Sequence, residues 1–189
     1  MFKAKNKITN EDRAIKIINI NLYIETLKNI YITNDITDEI RYEINKYVKR
    51  INNEIGNMKK CANINSVKLY DFYNNKNEIA LIMELCDNNL RDLLKEKEKG
   101  FEPKEIYEIM NQLNNTFRIM KENNIVHRDI KLDNILIQYF NKDKKKYIVK
   151  LTDYGASKNI NNISICKSFV GTLETMAPEL LKMDINDNK

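Results

Sequence analysis

The chain has 189 residues, 42% hydrophobic and 31% charged, with 32 Lys+Arg against 27 Asp+Glu for a net charge of +5. That hydrophobic share can bury a core, so the chain is not disordered as a whole, and its length suits one domain or two small ones. Four glycines and two prolines exclude collagen-like, Gly/Ser-linker and Pro-rich classes, and even the nearest glycine pair, Gly155 and Gly171, is too widely spaced for a Gly-rich phosphate loop.

Residues 1–20 predict two strands around a turn at Lys7–Glu11. Lys16 interrupts the apolar run Ala14–Ile18, so it must either snorkel or meet a partner. Residues 19–34 are Asn-rich and suggest no regular element. From there the period changes. Ile40, Ile44, Val48, Ile51, Ile55 and Met58 recur at spacings of four and three, which predicts a helix over about 36–60 with Asp35 as its cap. Strands are expected over Ser66–Tyr73 and Glu78–Leu85, then a short helix over 88–97.

Pro103 opens a further helix, where its missing N–H costs nothing. Ile106, Met110, Leu113, Phe117 and Met120 are its expected buried stripe. Ile135–Phe140 and Tyr147–Thr152 predict a hairpin, and 156–170 a loop. The turn of that hairpin holds the one dense lysine run, Lys142, Lys144, Lys145 and Lys146. It reads as a solvated turn and not as a nucleic-acid surface.

Cys61, Cys86 and Cys166 are scattered and odd in number, and there is a single histidine, which suits free thiols in a reducing compartment. No apolar stretch approaches the ~18 residues of a membrane span. The N-terminus MFKAKNKITN has no apolar signal core. A cytosolic or nuclear chain without nucleic-acid or membrane partners is expected.

The chemistry-bearing stretch is His127–Arg128–Asp129–Ile130–Lys131–Leu132–Asp133–Asn134. It is followed in order by Asp153–Tyr154–Gly155, Gly171–Thr172 and Ala177–Pro178–Glu179. This ordered set resembles the eukaryotic protein kinase family. The resemblance implies an α+β, bilobal kinase-like fold, with residues 1–85 as a partial N-lobe and 86–189 as the upper part of the C-lobe. It implies ATP and Mg²⁺ as cofactors and proteins bearing Ser or Thr as substrates.

The resemblance also distributes roles. Asp129 would be the base that orients the substrate hydroxyl, and Lys131 would stabilise the migrating phosphoryl group. Asn134 and Asp153 would supply hard oxygens to Mg²⁺. Lys16 would hold the phosphates and pair with Glu54, with Glu39 and Glu43 as poorer partners. The gap from Lys16 to Glu54 is longer than the family's usual one. Ala14 and Leu136 would sandwich the adenine, Met83 would stand as gatekeeper, and Glu84 and Cys86 would form the hinge.

Gly155 would supply backbone freedom after the metal ligand. Tyr154 stands where the family usually has Phe, and would need a partner for its hydroxyl. His127 is expected to be a core histidine, stacked with Tyr154, Leu69 and Met58. Lys131 together with Thr172 resembles the serine/threonine type. Arg128 implies control by an upstream activating kinase, with Ser168 as the best-placed acceptor and Ser164 and Ser157 as weaker ones.

The sequence departs from the family pattern at both ends. The first strand and its Gly-rich loop do not precede Met1, and the lower helical part of the C-lobe does not follow Glu179. The expectation is therefore a truncated serine/threonine kinase domain. The alternative is a noncatalytic, pseudokinase-like binding module that docks through the long helix. A small-molecule kinase is disfavoured by Ala177–Pro178–Glu179. The 189 residues by themselves are expected to transfer little or no phosphate, and robust turnover of the isolated chain in a radiolabel assay would refute that.

Overall fold

The computed structural model describes residues 1–75, 77–141, 143, 146–160, 171–176 and 178. Two strands, β1 (Phe2–Lys5) and β2 (Asp12–Asn19), pair antiparallel around the expected turn. Strands β3 (Leu69–Asn74) and β4 (Glu78–Glu84) complete a four-stranded antiparallel sheet of order β1-β2-β4-β3. Because strand side chains alternate, Ala14 and Lys16 share one face of β2, and Ala14 stands opposite Met83 in the β2–β4 register.

The Asn-rich stretch after β2 is a helix, α1 (Ile20–Ile30), which the sequence pattern did not announce. Asn19 starts it: its side-chain oxygen accepts from the Leu22 N–H at 2.9 Å. Ile20 and Leu27 are buried, and the Tyr23 ring stacks on Tyr47 of the next helix with centroids 4.0 Å apart. That helix, α2, runs Asp38–Lys60. Its cap is Thr37, whose hydroxyl accepts from the Ile40 N–H, and not Asp35 as the sequence suggested. Thr37 immediately precedes the first helical residue, which is where a side chain can reach the unpaired N–H groups. Asp38 and Glu39 at one end and Lys59 and Lys60 at the other complement the helix dipole.

Below the sheet come β5 (Asn88–Asn89), α3 (Leu90–Lys95) and α4 (Pro103–Glu122). They are followed by β6 (Ile125–Val126), β7 (Ile135–Asn141), β8 (Lys146–Leu151) and β9 (Lys158–Asn159). The predicted β7–β8 hairpin is present, β5 adds to it, and β6 pairs with β9. The predicted stripe of α4 needs correction. Ile109, Leu113, Thr116 and Met120 are buried, while Ile106 and Met110 are about half exposed. Leu113 and Met120 are buried as expected and Phe117 packs against the core, but the first half of the stripe shifts to Ile109, since Gln112 turns to β8 (Val149 N–H at 3.0 Å) and Thr116 reaches the loop between α2 and β3.

That loop ties the sheet to the helical half. Val67 N–H donates to Leu151 O, and Leu151 N–H donates to Asn65 O, both at 2.9 Å. Asn65 Nδ2 donates to Val149 O at 3.0 Å. The fully buried Thr116 hydroxyl reaches Asn65 O at 3.0 Å and Asn63 Oδ1 at 3.1 Å. Among the described residues no helix is long and apolar enough to cross a membrane. Thr116→Val should keep the packing volume but lose this anchor, costing about 1 kcal/mol in a urea melt followed by far-UV circular dichroism.

Candidate active site

Lys16 leaves β2 on the face that looks toward α2, and its Nζ lies 2.7 Å from Glu54 Oε1. The 38-residue separation in sequence is absorbed by α1 and by the early turns of α2, so the longer linker does not displace Glu54. Glu43 instead pairs with Lys46 along α2. Glu54 is buried, and a buried carboxylate requires a compensating charge. Burial opposes the charge of Lys16 as well. The attraction and hydrogen bond to Glu54, helped by Asp153 at 3.7 Å, outweigh it and raise the Lys16 pKa.

Asp153 adopts a left-handed backbone (φ 63°, ψ 67°), and its side chain is almost half exposed. The next residues, Tyr154–Ala156, form a 3-10 turn. Gly155 does not have a positive φ, so backbone freedom is not its role here. A Cβ there would sit 3.2 Å from Glu54 Oε2 and 3.2 Å from Asp153 Oδ1. A side chain there would crowd both carboxylates, so the glycine leaves Glu54 and Asp153 undisturbed.

Tyr154 is fully buried, and its hydroxyl meets Ser66 Oγ at 2.9 Å. That is the partner the Phe-to-Tyr change required. Burial, only partly offset by Ser66, pushes the phenol far above its usual range. His127 packs edge-on against Tyr154 with centroids 5.1 Å apart. Its Nε2 lies 3.0 Å from Thr152 O, so Nε2 carries the proton and donates. Burial lowers the imidazole pKa despite that bond. A neutral, buried ring with its one N–H already engaged is a packing residue and not a base. Met58 is buried in the same cluster, and Leu69 packs at its edge.

Asp129 is the centre of the second group. Its carboxylate accepts from Thr172 Oγ1 at 2.5 Å and from Asn134 Nδ2 at 2.9 Å, and Lys131 Nζ lies at 3.0 Å. Burial works against its charge, but Thr172 and Lys131 together hold the pKa below the usual carboxylate range. Lys131 also donates to Thr172 Oγ1 at 2.8 Å. Asn134, at the end of the Leu132–Asn134 3-10 turn, gives its N–H groups to Asp129, so the hard donor it can offer is its amide oxygen. Asp133, between these residues, is instead bound to Arg91 at 2.7 Å, a structural tie to α3.

Gly171 carries the sequence back to this loop. Its φ is 132°, and a Cβ would lie 2.3 Å from Arg128 O. Arg128 itself has φ 68°, and its Nε donates to Ala156 O at 2.7 Å. Ser164, Ser168, Cys166, Ala177 and Glu179 lie outside the described residues.

A cavity of about 200 Å³ is lined by Met1, Ala14, Val67, Met83, Leu136 and Thr152. Ala14 and Leu136 contribute to it, as do Glu84 and Cys86. The Glu84 carboxylate turns to Lys150 Nζ at 3.1 Å, and its N–H donates to Lys68 O at 2.9 Å. Lys150 is buried and also donates to Ile64 O at 2.8 Å. Burial, with Glu84 nearby, pushes the Cys86 thiol up to about 12, which leaves it neutral.

Sequence comparison agrees with this geometry. The protein kinase domain model matches residues 1–189. The chain is 36% identical over 152 residues to an inhibitor of nuclear factor kappa-B kinase subunit alpha of Danio rerio, 75% of this chain and 20% of that protein. It is 34% identical over 182 residues to a calcium-dependent protein kinase 5 of Plasmodium berghei, 95% of this chain and 28% of that one. Against the serine/threonine-protein kinase atg1 of Dictyostelium discoideum it is 30% identical over 185 residues, 96% and 25% respectively. The chain belongs to the protein kinase family, and it spans about a quarter of the length of these relatives.

Two outcomes follow from the site. Gly171→Ala must move either its own backbone or the Arg128 carbonyl, and should cost about 1–3 kcal/mol in a thermal or urea melt. The second concerns pH. Asp129 has a lowered pKa, so its contribution to stability is present above the ordinary ~3.9 and fades as pH falls through the lower folded value. Lys16 has a raised pKa, so its contribution is present below ~10.4 and fades as pH rises through the higher folded value. Buried His127, with its lowered pKa, makes stability decline as pH falls below ~6.5, and buried Cys86, with its raised pKa, makes it decline above ~8.5; Asp129→Asn should make only the far acid limb of a stability–pH curve shallower.

Proposed function

We propose that this chain is the catalytic part of a serine/threonine protein kinase, which transfers the γ-phosphate of ATP to Ser or Thr hydroxyls of protein substrates. Residues 1–85 are read as its N-lobe and 86–189 as the upper C-lobe. The observation that carries the reading is the closed Lys16–Glu54 pair with Asp153 3.7 Å from the same ammonium. A lysine held between two carboxylates is poised to exchange part of that contact for phosphate oxygens.

The chemistry needs positioning and charge neutralisation more than covalent help. The mostly apolar cavity lined by Ala14, Met83, Leu136, Glu84 and Cys86 suits an adenine ring. Lys16 would bind the phosphates. Mg²⁺, when bound, neutralises charge on the phosphates, and Asp153 with the Asn134 amide oxygen would hold it. Asp153 is half exposed and beside Lys16, which fits a carboxylate kept for a cation.

Asp129, kept ionised by Thr172 and Lys131, would accept a hydrogen bond from the substrate hydroxyl and orient its lone pair. Lys131 then stabilises the developing phosphate charge. The Thr172 hydroxyl, bridging both, favours an aliphatic hydroxyl of similar reach in the same place, which supports the serine/threonine assignment. The names of the relatives, which include a serine/threonine-protein kinase, support it further. Arg128 and Ser168 are proposed as the receiving pair for control by an upstream kinase, since a guanidinium is the natural partner of a phosphate.

The test is phosphate transfer from ATP to Ser- and Tyr-peptides by the natural full-length protein. Transfer to Ser should exceed transfer to Tyr, and Asp129→Asn should lower it about 100-fold or more. Undiminished transfer by that variant would remove Asp129 from the role, and transfer to Tyr alone would overturn the substrate class.

A further inference from the structure

We propose that Asn57 and Ser157 are positioning residues that latch α2 to the turn carrying Asp153, so that the Lys16–Glu54 pair and Asp153 assemble as one unit. This rests on the kinase reading above and deepens it. Neither side chain belongs to the site already described, yet both are buried polar groups in an apolar surrounding. Asn is a poor helix former, and burying its amide is costly unless it is bonded. Its place on the buried side of the last turn of α2 therefore calls for a partner.

The partner is Ser157, one hundred residues away: Asn57 Nδ2 lies 2.7 Å from Ser157 Oγ. The direction of the bond is fixed by proton count. The Ser157 hydroxyl spends its single proton on Tyr154 O, so it accepts from Asn57. The Ser157 N–H donates to the same Tyr154 carbonyl at 3.0 Å. The 3-10 turn Tyr154–Ala156 is thus closed twice by Ser157, and the closure is anchored to α2 by Asn57.

Asn57 is three residues after Glu54, so the two lie on one face of α2. Asp153, at φ 63°, holds a backbone conformation disfavoured for a residue with a Cβ. Gly155 lies between the latch and the Glu54 carboxylate, at a distance that leaves no room for a Cβ to fit freely. Releasing Asn57 from Ser157 would let the turn relax, move Asp153 away from Lys16, and free α2 to shift Glu54. The latch acts through these residues and touches no substrate itself.

The experiment uses the natural full-length protein with Asn57→Leu, Ser157→Ala and the double variant. Binding of Mg²⁺·ATP and of adenosine, which has no phosphates, is measured by calorimetry. The latch predicts about tenfold weaker Mg²⁺·ATP binding in each variant with adenosine unchanged, and a double variant no worse than either single one. Equal losses for both ligands, no loss for either, or additive losses in the double variant would overturn it.

Amide exchange of the nucleotide-free protein separates this failure from failure of the kinase reading. Exchange of the Ser157 amide should quicken about tenfold in each variant, whatever the protein binds. If wild-type protein binds neither ligand, the kinase reading falls and the exchange result alone decides the latch. Should Asn57→Leu not fold, Ser157→Ala, which removes one oxygen, decides it by the same measurements.

Discussion

The buried Glu54 carboxylate is the constraint on which the rest of the site depends. A charge in that position can exist only against an opposite charge, and Lys16 is the group that supplies it, at 2.7 Å. This single requirement orients β2 against α2. It also explains Gly155, which is small because the same carboxylate passes within 3.2 Å of where a Cβ would be. Asp153 is drawn into the same field through Lys16. The sheet, the long helix and the turn after β8 are thus coupled through one ion pair, and a change at any of them is felt at the other two.

The second group, around Asp129, is built on different physics. Here the carboxylate is kept ionised by short hydrogen bonds from Thr172 and Asn134 and by the Lys131 ammonium. Two strained backbone positions, Arg128 and Asp153, flank it. Such conformations persist only where surrounding contacts overdetermine them. Those contacts are visible: Arg128 Nε on Ala156 O, Gly171 packed on Arg128 O, and the Asn57–Ser157–Tyr154 chain. The acid-facing and phosphate-facing halves of the site therefore share one turn.

Much of the candidate site was legible in sequence because its residues are close along the chain. Asp129, Lys131 and Asn134 fall within six positions, and the loop between α4 and β7 brings them together without help from distant segments. Lys16 stood out as a charge inside an apolar strand, which predicts a partner, and the family resemblance singled out Glu54, which the structure pairs with it. Helix α1 was missed although Ile20, Tyr23, Ile24 and Leu27 recur at helical spacing, because its start signal, Asn19, is one asparagine among many. The cap of α2 was misplaced by two residues, since Asp35 and Thr37 are both good capping types and only the backbone path distinguishes them. The stripe on α4 held at Leu113 and Met120 but failed at Ile106 and Met110, because Ile and Met at helical spacing occur on two adjoining faces near the helix start and the sequence does not say which one is covered.

By itself the sequence determined most of the longer elements, α1 excepted, the loop chemistry around Asp129, and the family to which the chain belongs. These are local matters, governed by periodicity, capping and short spacings. Only the tertiary structure decided that Tyr154 finds Ser66, that Gly155 answers to a carboxylate rather than to a φ angle, and that Asn57 reaches Ser157. Each of those is a contact between residues far apart in sequence, and burial is what makes each one obligatory: away from water, a charge or a polar hydrogen must find its partner inside the protein.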